Sequence, residues 1–340
     1  MNVLSLFDGM SCGMLALERA GIKVDNYYSS EVDKYAIQVS NKNYPNIIRL
    51  GDVTKWKSWD LPKIDLIIGG SPCQGFSFAG KQAAFDDPRS ALFFEFLEIY
   101  RTIRCYNPGV KFMLENVKMK KQSLDVISDL LNVEPIRINS KLVSAQNRDR
   151  FYWTNVEGIQ QPEHTGELLR DVLEDNPNSP MLMSDSTIER FKGYGVKLLT
   201  GDEEKSKCLT AGEYAKNGKH GNYLNYYTDE QVSRLQPSGT NQDKDIKIIA
   251  HRKGYRRNYQ IFDKDGKTEC LDTGQGGGRI TGVEDFSVKY RKLTPIEYER
   301  LQTVPDNYTD CVSNSQRYKM LGNGWTVDVI AHIFKSIILK

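Results

Sequence analysis

Over residues 1–157, short apolar runs alternate with amphipathic stretches, the pattern of strands and helices in turn. Residues 3–7 predict a strand, and 13–20 a helix entered through a glycine-containing turn. Residues 26–31 predict a second strand and 34–43 a second helix. An apolar-rich run at 64–68, bounded by Pro62 and Gly69-Gly70, predicts a buried parallel strand. Residues 90–104 are helical in pattern, with Leu92, Phe93, Phe96, Leu97 and Tyr100 on one face. Residues 111–114 predict another buried strand, 123–131 a helix, and 150–154 an aromatic strand.

The texture then changes. From about 158 to 288 the chain is rich in Gly, Asn, Lys, Asp and Tyr, with turn signals such as Asn217-Gly218 and Gly276-Gly277-Gly278. This reads as a loop-rich, β-containing insert. A faint echo links residues 207–210 with 269–273, too short for a solenoid. Residues 294–302 and 326–338 return to helix, and the second of these is apolar enough to need the first core. The expected fold class is therefore α/β. The C-terminal helix joins the first domain, and a smaller β-containing stretch is inserted before it.

Composition narrows the function. Among 340 residues, Lys+Arg 46 against Asp+Glu 44 leaves +2, which argues against a charge-driven nucleic-acid binder but permits a local basic patch. No apolar run approaches the ~20 residues that a bilayer requires, and the first residues lack the charged start of a signal peptide, so no membrane partner is expected. The six cysteines stand singly at 12, 73, 105, 208, 270 and 311. Without a Cys-x-x-Cys pair, neither a metal site nor a redox dithiol is expected, and the thiols predict a reducing cytoplasm.

Chemistry concentrates at strand ends. Phe7-Asp8-Gly9-Met10-Ser11-Cys12-Gly13 joins the first strand to the first helix, where glycines allow close approach of a ligand. Glu31 ends the second strand, where a carboxylate can accept ribose hydroxyls, and Asp52 follows in the next turn. Many ordinary α/β turns look the same. Gly69-Gly70-Ser71-Pro72-Cys73-Gln74-Gly75-Phe76-Ser77 places a thiol in a Gly/Pro loop beyond a buried strand. Such a cysteine either packs or, with its thiolate stabilised, reacts. Glu115-Asn116-Val117 ends a further buried strand, where a carboxyl group can hold a proton. Arg148 and Arg150 alternate entering the aromatic strand, so both can face one site, or each can form a surface ion pair.

Taken in order, these motifs resemble the cytosine-C5 DNA methyltransferase family of bacteria and phages. Phe7-Asp8-Gly9 is similar to its first cofactor motif, Pro72-Cys73-Gln74 to its catalytic motif and Glu115-Asn116-Val117 to the motif that holds the base. Gln146-x-Arg148-x-Arg150 resembles the next. Arg291-x-Leu293-Thr294-x-x-Glu297-x-x-Arg300-x-Gln302-x-x-Pro305 and Gly322-Asn323-Gly324-Trp325 resemble the last two. The catalytic half also resembles the animal de novo enzymes. The sequence departs from the family at Ser11-Cys12-Gly13, where the bacterial motif ends Gly-x-Gly-Gly, and at Gly324, where Ser or Ala is usual.

The resemblance implies a DNA (cytosine-5-)-methyltransferase that uses S-adenosylmethionine and flips its target base from duplex DNA. Cofactor contacts are implied for Phe7, Asp8, Gly9, Gly13, Glu31, Val32, Asp52, Val53, Pro72, Asn323 and Trp325. Cys73 is implied as nucleophile at C6, Glu115 as the partner of N3 and N4, Arg150 as the contact to O2 and Arg148 as its support. The resemblance also implies a Rossmann-like methyltransferase sheet over 1–175 plus 321–340, with 176–320 inserted before the C-terminal helix as the target-recognition domain. Gln74, Ser77 and Lys81 in a closing loop, with the Tyr-interleaved cluster Arg252, Lys253, Arg256 and Arg257, are the expected DNA contacts, although such a cluster can equally be a solvated turn. A monomer in a bacterial or phage-infected cell, with a cognate restriction endonuclease as a further partner, completes the expectation. Three other readings stand beside it. An RNA (tRNA) methyltransferase of the same fold is separated by its substrate. A non-catalytic DNA-binding member would lack Cys73 or Glu115. A thiol redox enzyme leaves Glu115 and the arginines without a role.

Overall fold

A computed structural model describes residues 1–71, 91–174 and 291–338, together with short strands at 209–210, 225–226, 248–250, 261–262, 268–269 and 282–283. Its centre is a seven-stranded sheet in the order β3-β2-β1-β4-β5-β8-β6. The strands are β1 (Asn2–Leu6), β2 (Asn26–Ser30), β3 (Ile48–Arg49), β4 (Leu66–Gly69), β5 (Lys111–Val117), β6 (Ile136–Asn139) and β8 (Asp149–Thr154). The five strands from β3 to β5 run parallel, while β8 is antiparallel to both β5 and β6. Period-two alternation divides the strand side chains between two cores. Val3, Leu66, Ile68 and Met113 enter one, and Leu4, Leu6, Ile67, Phe112 and Leu114 the other.

The helices cover both faces. The first core holds α1 (Cys12–Arg19) against the C-terminal helix Val327–Ile338, and the second holds α3 (Ala91–Tyr106) and α4 (Lys121–Leu131). α2 (Lys34–Asn43) starts where the sequence places it, because Asp33 caps the main-chain N–H groups of Tyr35 and Ala36. Among the described residues, no helix is long and apolar enough to cross a membrane, and no cluster of His, Cys, Asp or Glu is arranged to hold a metal ion.

Three features differ from the expectation. β5 continues to Val117, three residues past the apolar run, because pairing with β8 from Met113↔Thr154 to Val117↔Arg150 supplies main-chain partners there. β6, with only Ile136 and Ile138 apolar, was not expected, since four residues give too little alternation. Helix Asn314–Asn323 was missed because its inward face includes a charged residue, Arg317, beside Tyr318 and Leu321.

Arg317 also bears on the domain boundary. The sequence reading carries the insert to 320, but Leu293, Tyr298, Leu301, Val304, Tyr308, Tyr318 and Met320 pack into the same core as β1 and α1. Residues 293–320 therefore lie on the sheet domain. Arg317 Nη2 stands 2.9 Å from Glu299 Oε1, and the Glu299 side chain is fully buried. Glu299 also accepts the main-chain N–H groups of Asn307 at 2.7 Å and Thr309 at 2.8 Å. Replacing Arg317 by Met leaves that carboxylate buried without its counter-charge. The expected loss is about 3–5 kcal/mol in urea unfolding, and a loss under 1 kcal/mol would show the pair to be dispensable.

The strand Thr268–Glu269 pairs in parallel with β7 (Gln146–Asn147). A stretch of the insert is thus joined to the segment immediately before Arg148.

Candidate active site

The parallel strands end along one edge, where open α/β sheets bind ligands. At the end of β1 the chain turns sharply. Phe7 has φ 58°, Gly9 58° and Ser11 63°, so two non-glycine residues take the left-handed conformation within one turn. The Gly9 N–H donates to Glu31 Oε2 at 2.8 Å. Glu31 Oε1 accepts from the N–H groups of Val32 and Asp33, each at 2.7 Å. Beside this oriented carboxylate Val32 is 71% exposed. Asp52 caps the short helical turn Val53–Ser58 by accepting the Thr54 N–H at 2.9 Å, which holds its carboxyl below the usual range. Val53 itself is buried in the core beneath. Its side chain therefore supports Asp52 and does not face the cleft.

Asp8 also turns inward. Its carboxylate accepts from the hydroxyls of Ser5, Ser11, Tyr27 and Ser29 at 2.5–2.8 Å. The side chain has no exposed surface. Both side-chain oxygens are committed to the protein, so a contact of Asp8 with the cofactor is left to its main chain.

Gly13 is required by space. A Cβ there would lie 2.4 Å from Ile68 Cδ1 and 2.7 Å from Tyr27 Oη. Gly13→Ala should cost ~1–3 kcal/mol by overpacking. It should also weaken cofactor binding, because Tyr27 would be pushed off Asp8. An alanine variant with wild-type thermal stability and cofactor affinity would contradict this account.

On the other half of the edge, the end of β5 presents Glu115, which is 8% exposed. Arg150 Nε lies 3.0 Å from Glu115 Oε1, and the Trp325 indole N–H donates to Oε2 at 3.2 Å. The register explains the first contact: Glu115 faces Tyr152 and Val117 faces Arg150, so Glu115 and Arg150 are diagonal neighbours on one face. A Cβ on Gly70 would come within 3.0 Å of both Glu115 Oε2 and Trp325 Nε1. Glycine at 70 thus lets the main chain after β4 run directly against the carboxylate. Burial and the Glu115 charge push the Tyr152 hydroxyl well above its usual range, so it stays protonated beneath the site.

The two arginines diverge. Arg148 is 4% exposed and donates to the carbonyls of Gly322 at 3.1 Å and Gly324 at 2.7 Å. It anchors the loop that carries Asn323 and Trp325, whereas Arg150 alone meets Glu115. Asn323 is exposed at the end of its helix. Three contributors had no place among the sequence-derived site residues. Asn116 donates to the Ser71 carbonyl at 3.4 Å and so ties β5 to the start of the loop that carries Cys73. Gln302 donates to the Leu321 carbonyl at 2.5 Å and the Gly324 carbonyl at 3.2 Å. Gln146 donates to the Leu301 carbonyl at 3.0 Å. The available signal was a polar side chain inside each motif, which spacing alone does not separate from a surface residue. Pro72, Cys73, Gln74, Ser77 and Lys81, and the cluster Arg252, Lys253, Arg256 and Arg257, lie outside the described residues.

Comparison with known proteins agrees with this geometry. The family model of the C-5 cytosine-specific DNA methylases matches residues 1–339. The chain is 30% identical to the type II methyltransferase M1.ScrFI of Lactococcus lactis subsp. cremoris, over 99% of this chain and 78% of that protein. It is 29% identical to the type II methyltransferase M.HhaI of Haemophilus parahaemolyticus, over 99% and 94%. Among solved structures, a putative DNA modification methyltransferase encoded within an Escherichia coli prophage superposes with a TM-score of 0.64 at 19% identity, covering 100% of this chain and 99% of the other. With a family model that matches nearly its whole length, the chain belongs to the C-5 cytosine-specific DNA methylases, enzymes that take their methyl group from S-adenosylmethionine.

Proposed function

We propose that Cys73 and Glu115 together activate a cytosine flipped from duplex DNA for methylation at C5. The observation that carries this is the end of β5. A buried glutamate there is held between Arg150 and Trp325, against the main chain of Gly70, three residues before Cys73. The Phe7 ring, the Gly9 and Gly13 main chain, Glu31, Val32, Asp52, Asn323 and Trp325 fit S-adenosylmethionine, with Val53 supporting from below; Pro72 is a further contact that the resemblance alone implies. The open space beside Gly9, next to an oriented carboxylate and an exposed apolar side chain, suits a nucleoside. When bound, this cofactor supplies the methyl group that C5 receives.

In the proposed sequence, the Cys73 thiolate forms a bond from Sγ to C6. Glu115 hydrogen-bonds N3 and N4 and stabilises the charge that develops on the ring. Arg150, already on Glu115, orients it and reaches the base O2. Arg148 keeps the Trp325 loop in place. After methylation, removal of the C5 proton lets the C6–Sγ bond break, so the thiolate is regenerated.

We place target recognition in the insert that begins at 176, joined to the sheet domain through Thr268–Glu269. We further propose a monomer in a bacterial or phage-infected cytoplasm, beside a cognate restriction endonuclease, a reading supported by the type II and phage methyltransferases among its relatives. If Arg252, Lys253, Arg256 and Arg257 touch phosphates, single alanine changes should weaken binding to all duplexes alike and flatten the salt dependence by about one unit of slope each. A guanine-reading member should instead cost ~1–3 kcal/mol at the cognate site only. Unchanged affinity, slope and target pattern in all four would leave the cluster a solvated turn.

The direct test gives the purified protein labelled S-adenosylmethionine with duplex DNA or tRNA, followed by bisulfite sequencing. Label in duplex DNA at a recurring cytosine is expected. Label confined to tRNA would move the reading to the RNA branch.

A further inference from the structure

We infer that Asp8 is a positioning residue for the cofactor, acting through the main chain of the first turn and not by contact. This rests on the reading of that turn as the nucleoside cradle. Two non-glycine residues of the turn, Phe7 and Ser11, sit in the left-handed region. Such residues persist only where the surroundings over-determine them.

Asp8 supplies the over-determination. Its Oδ1 accepts from Ser5 Oγ at 2.6 Å and Tyr27 Oη at 2.7 Å, and its Oδ2 from Ser11 Oγ at 2.5 Å and Ser29 Oγ at 2.8 Å. Arg49 stands 3.9 Å from Oδ2 and donates to Ser29 Oγ and Ser40 Oγ, and the Ser40 hydroxyl meets that of Ser11. Four elements converge on one buried carboxylate: β1 through Ser5, β2 through Tyr27 and Ser29, β3 through Arg49, and the start of α1 through Ser11.

Ser11 carries a second sign of this role. It occupies the N-cap position of α1, where a serine side chain usually accepts a helix N–H. Here it makes no side-chain cap, and its hydroxyl donates to Asp8 instead. The chain gives up a cap in order to tie the turn down. Main-chain bonds extend the clamp on either side. The Asp8 N–H donates to the Ser30 carbonyl at 3.1 Å, and the Ser11 N–H to the Asp8 carbonyl at 3.1 Å. Between these two, Gly9 turns its N–H onto Glu31. Releasing Asp8 therefore releases both Phe7 and the group that orients Glu31, while leaving Glu115, Arg150 and Trp325 untouched.

The test is Asp8→Asn, which keeps the shape but removes the charge and one acceptor. Cofactor affinity is read by equilibrium dialysis with labelled S-adenosylmethionine, and kcat is read at saturating cofactor. A loss of tenfold or more in cofactor affinity is expected, with kcat within about threefold and duplex affinity unchanged. Trp153→Phe, which deletes the indole bond to Ser128 in the opposite core, serves as the structural control and should lower thermal stability without moving cofactor affinity. Ser11→Ala and Tyr27→Phe each remove one donor and should weaken cofactor binding severalfold, which keeps the question answerable if Asp8→Asn does not fold. Unchanged cofactor affinity in the folded variants would overturn the inference. So would a fall in kcat at unaltered affinity, which would move Asp8 to the chemistry. Failure of the wild type to bind the cofactor would strike the reading of the cradle itself.

Discussion

Cys73→Ala is expected to abolish methyl transfer while duplex DNA still binds. The covalent step needs a nucleophile that is ionised near neutral pH and placed at C6, and a methyl side chain offers none. Cys73→Ser should fail almost as completely, because a hydroxyl without a strong base is rarely an anion. Neither Cys12 nor Cys105 is placed to substitute. Cys12 lies beside the cofactor turn, but burial pushes its pKa up to about 12, so it is a neutral thiol at working pH. Cys105 is exposed near the end of α3, in the region that leads away from the cleft. The measurement is labelled methyl transfer with a gel-shift on the same duplex. Turnover near the wild-type rate in either variant would remove Cys73 as nucleophile. Thiol alkylation at pH 8 offers a companion check, in which Cys105 should label in the folded protein and Cys12 should be protected.

Glu115→Gln should lower turnover by ~10² or more, with cofactor affinity nearly unchanged. The isosteric amide keeps an oxygen for Arg150 or the Trp325 indole, so the strand end should hold its shape. What it loses is the capacity to carry charge or a proton at the base ring. The side chain is 8% exposed, so solvent does little to screen that loss. Because the indole N–H also rests on this carboxylate, a modest effect on the cofactor wall is expected. A large loss of cofactor binding with intact chemistry would transfer Glu115 to the cofactor side of the cleft. Single-turnover rates at saturating cofactor separate the two outcomes.

The alternation of apolar and amphipathic segments predicted β1, β2, β4, α1, α2 and α3 to within two residues, because each buries a face of its own and the period survives in the local sequence. Glu115, the glycine turn and the carboxylate after β2 were legible as candidates for a related reason. They stand at strand ends, where the change from apolar to polar or glycine-rich sequence is abrupt. By contrast, the helix Asn314–Asn323 depends on Arg317 reaching Glu299 across the core, and a buried ion pair erases the hydrophobic period that would announce it.

The sequence by itself determined the fold class, the order of the motifs and the chemistry each can perform, since those depend on residue type and local spacing. Tertiary structure decided which way the side chains face. Asp8 lies in the cofactor motif yet turns inward, because four hydroxyls from three elements offer it better partners than solvent does. Arg148 and Arg150 alternate on one strand yet part company, because the carbonyls of Gly322 and Gly324 claim the first while Glu115 on the neighbouring strand claims the second. Residues 293–320 follow the insert in sequence yet belong to the sheet domain, because Tyr298, Leu301 and Tyr318 find their apolar surroundings only beside β1 and α1. In each case the deciding partner is distant in sequence, and no local pattern records where such a partner will be.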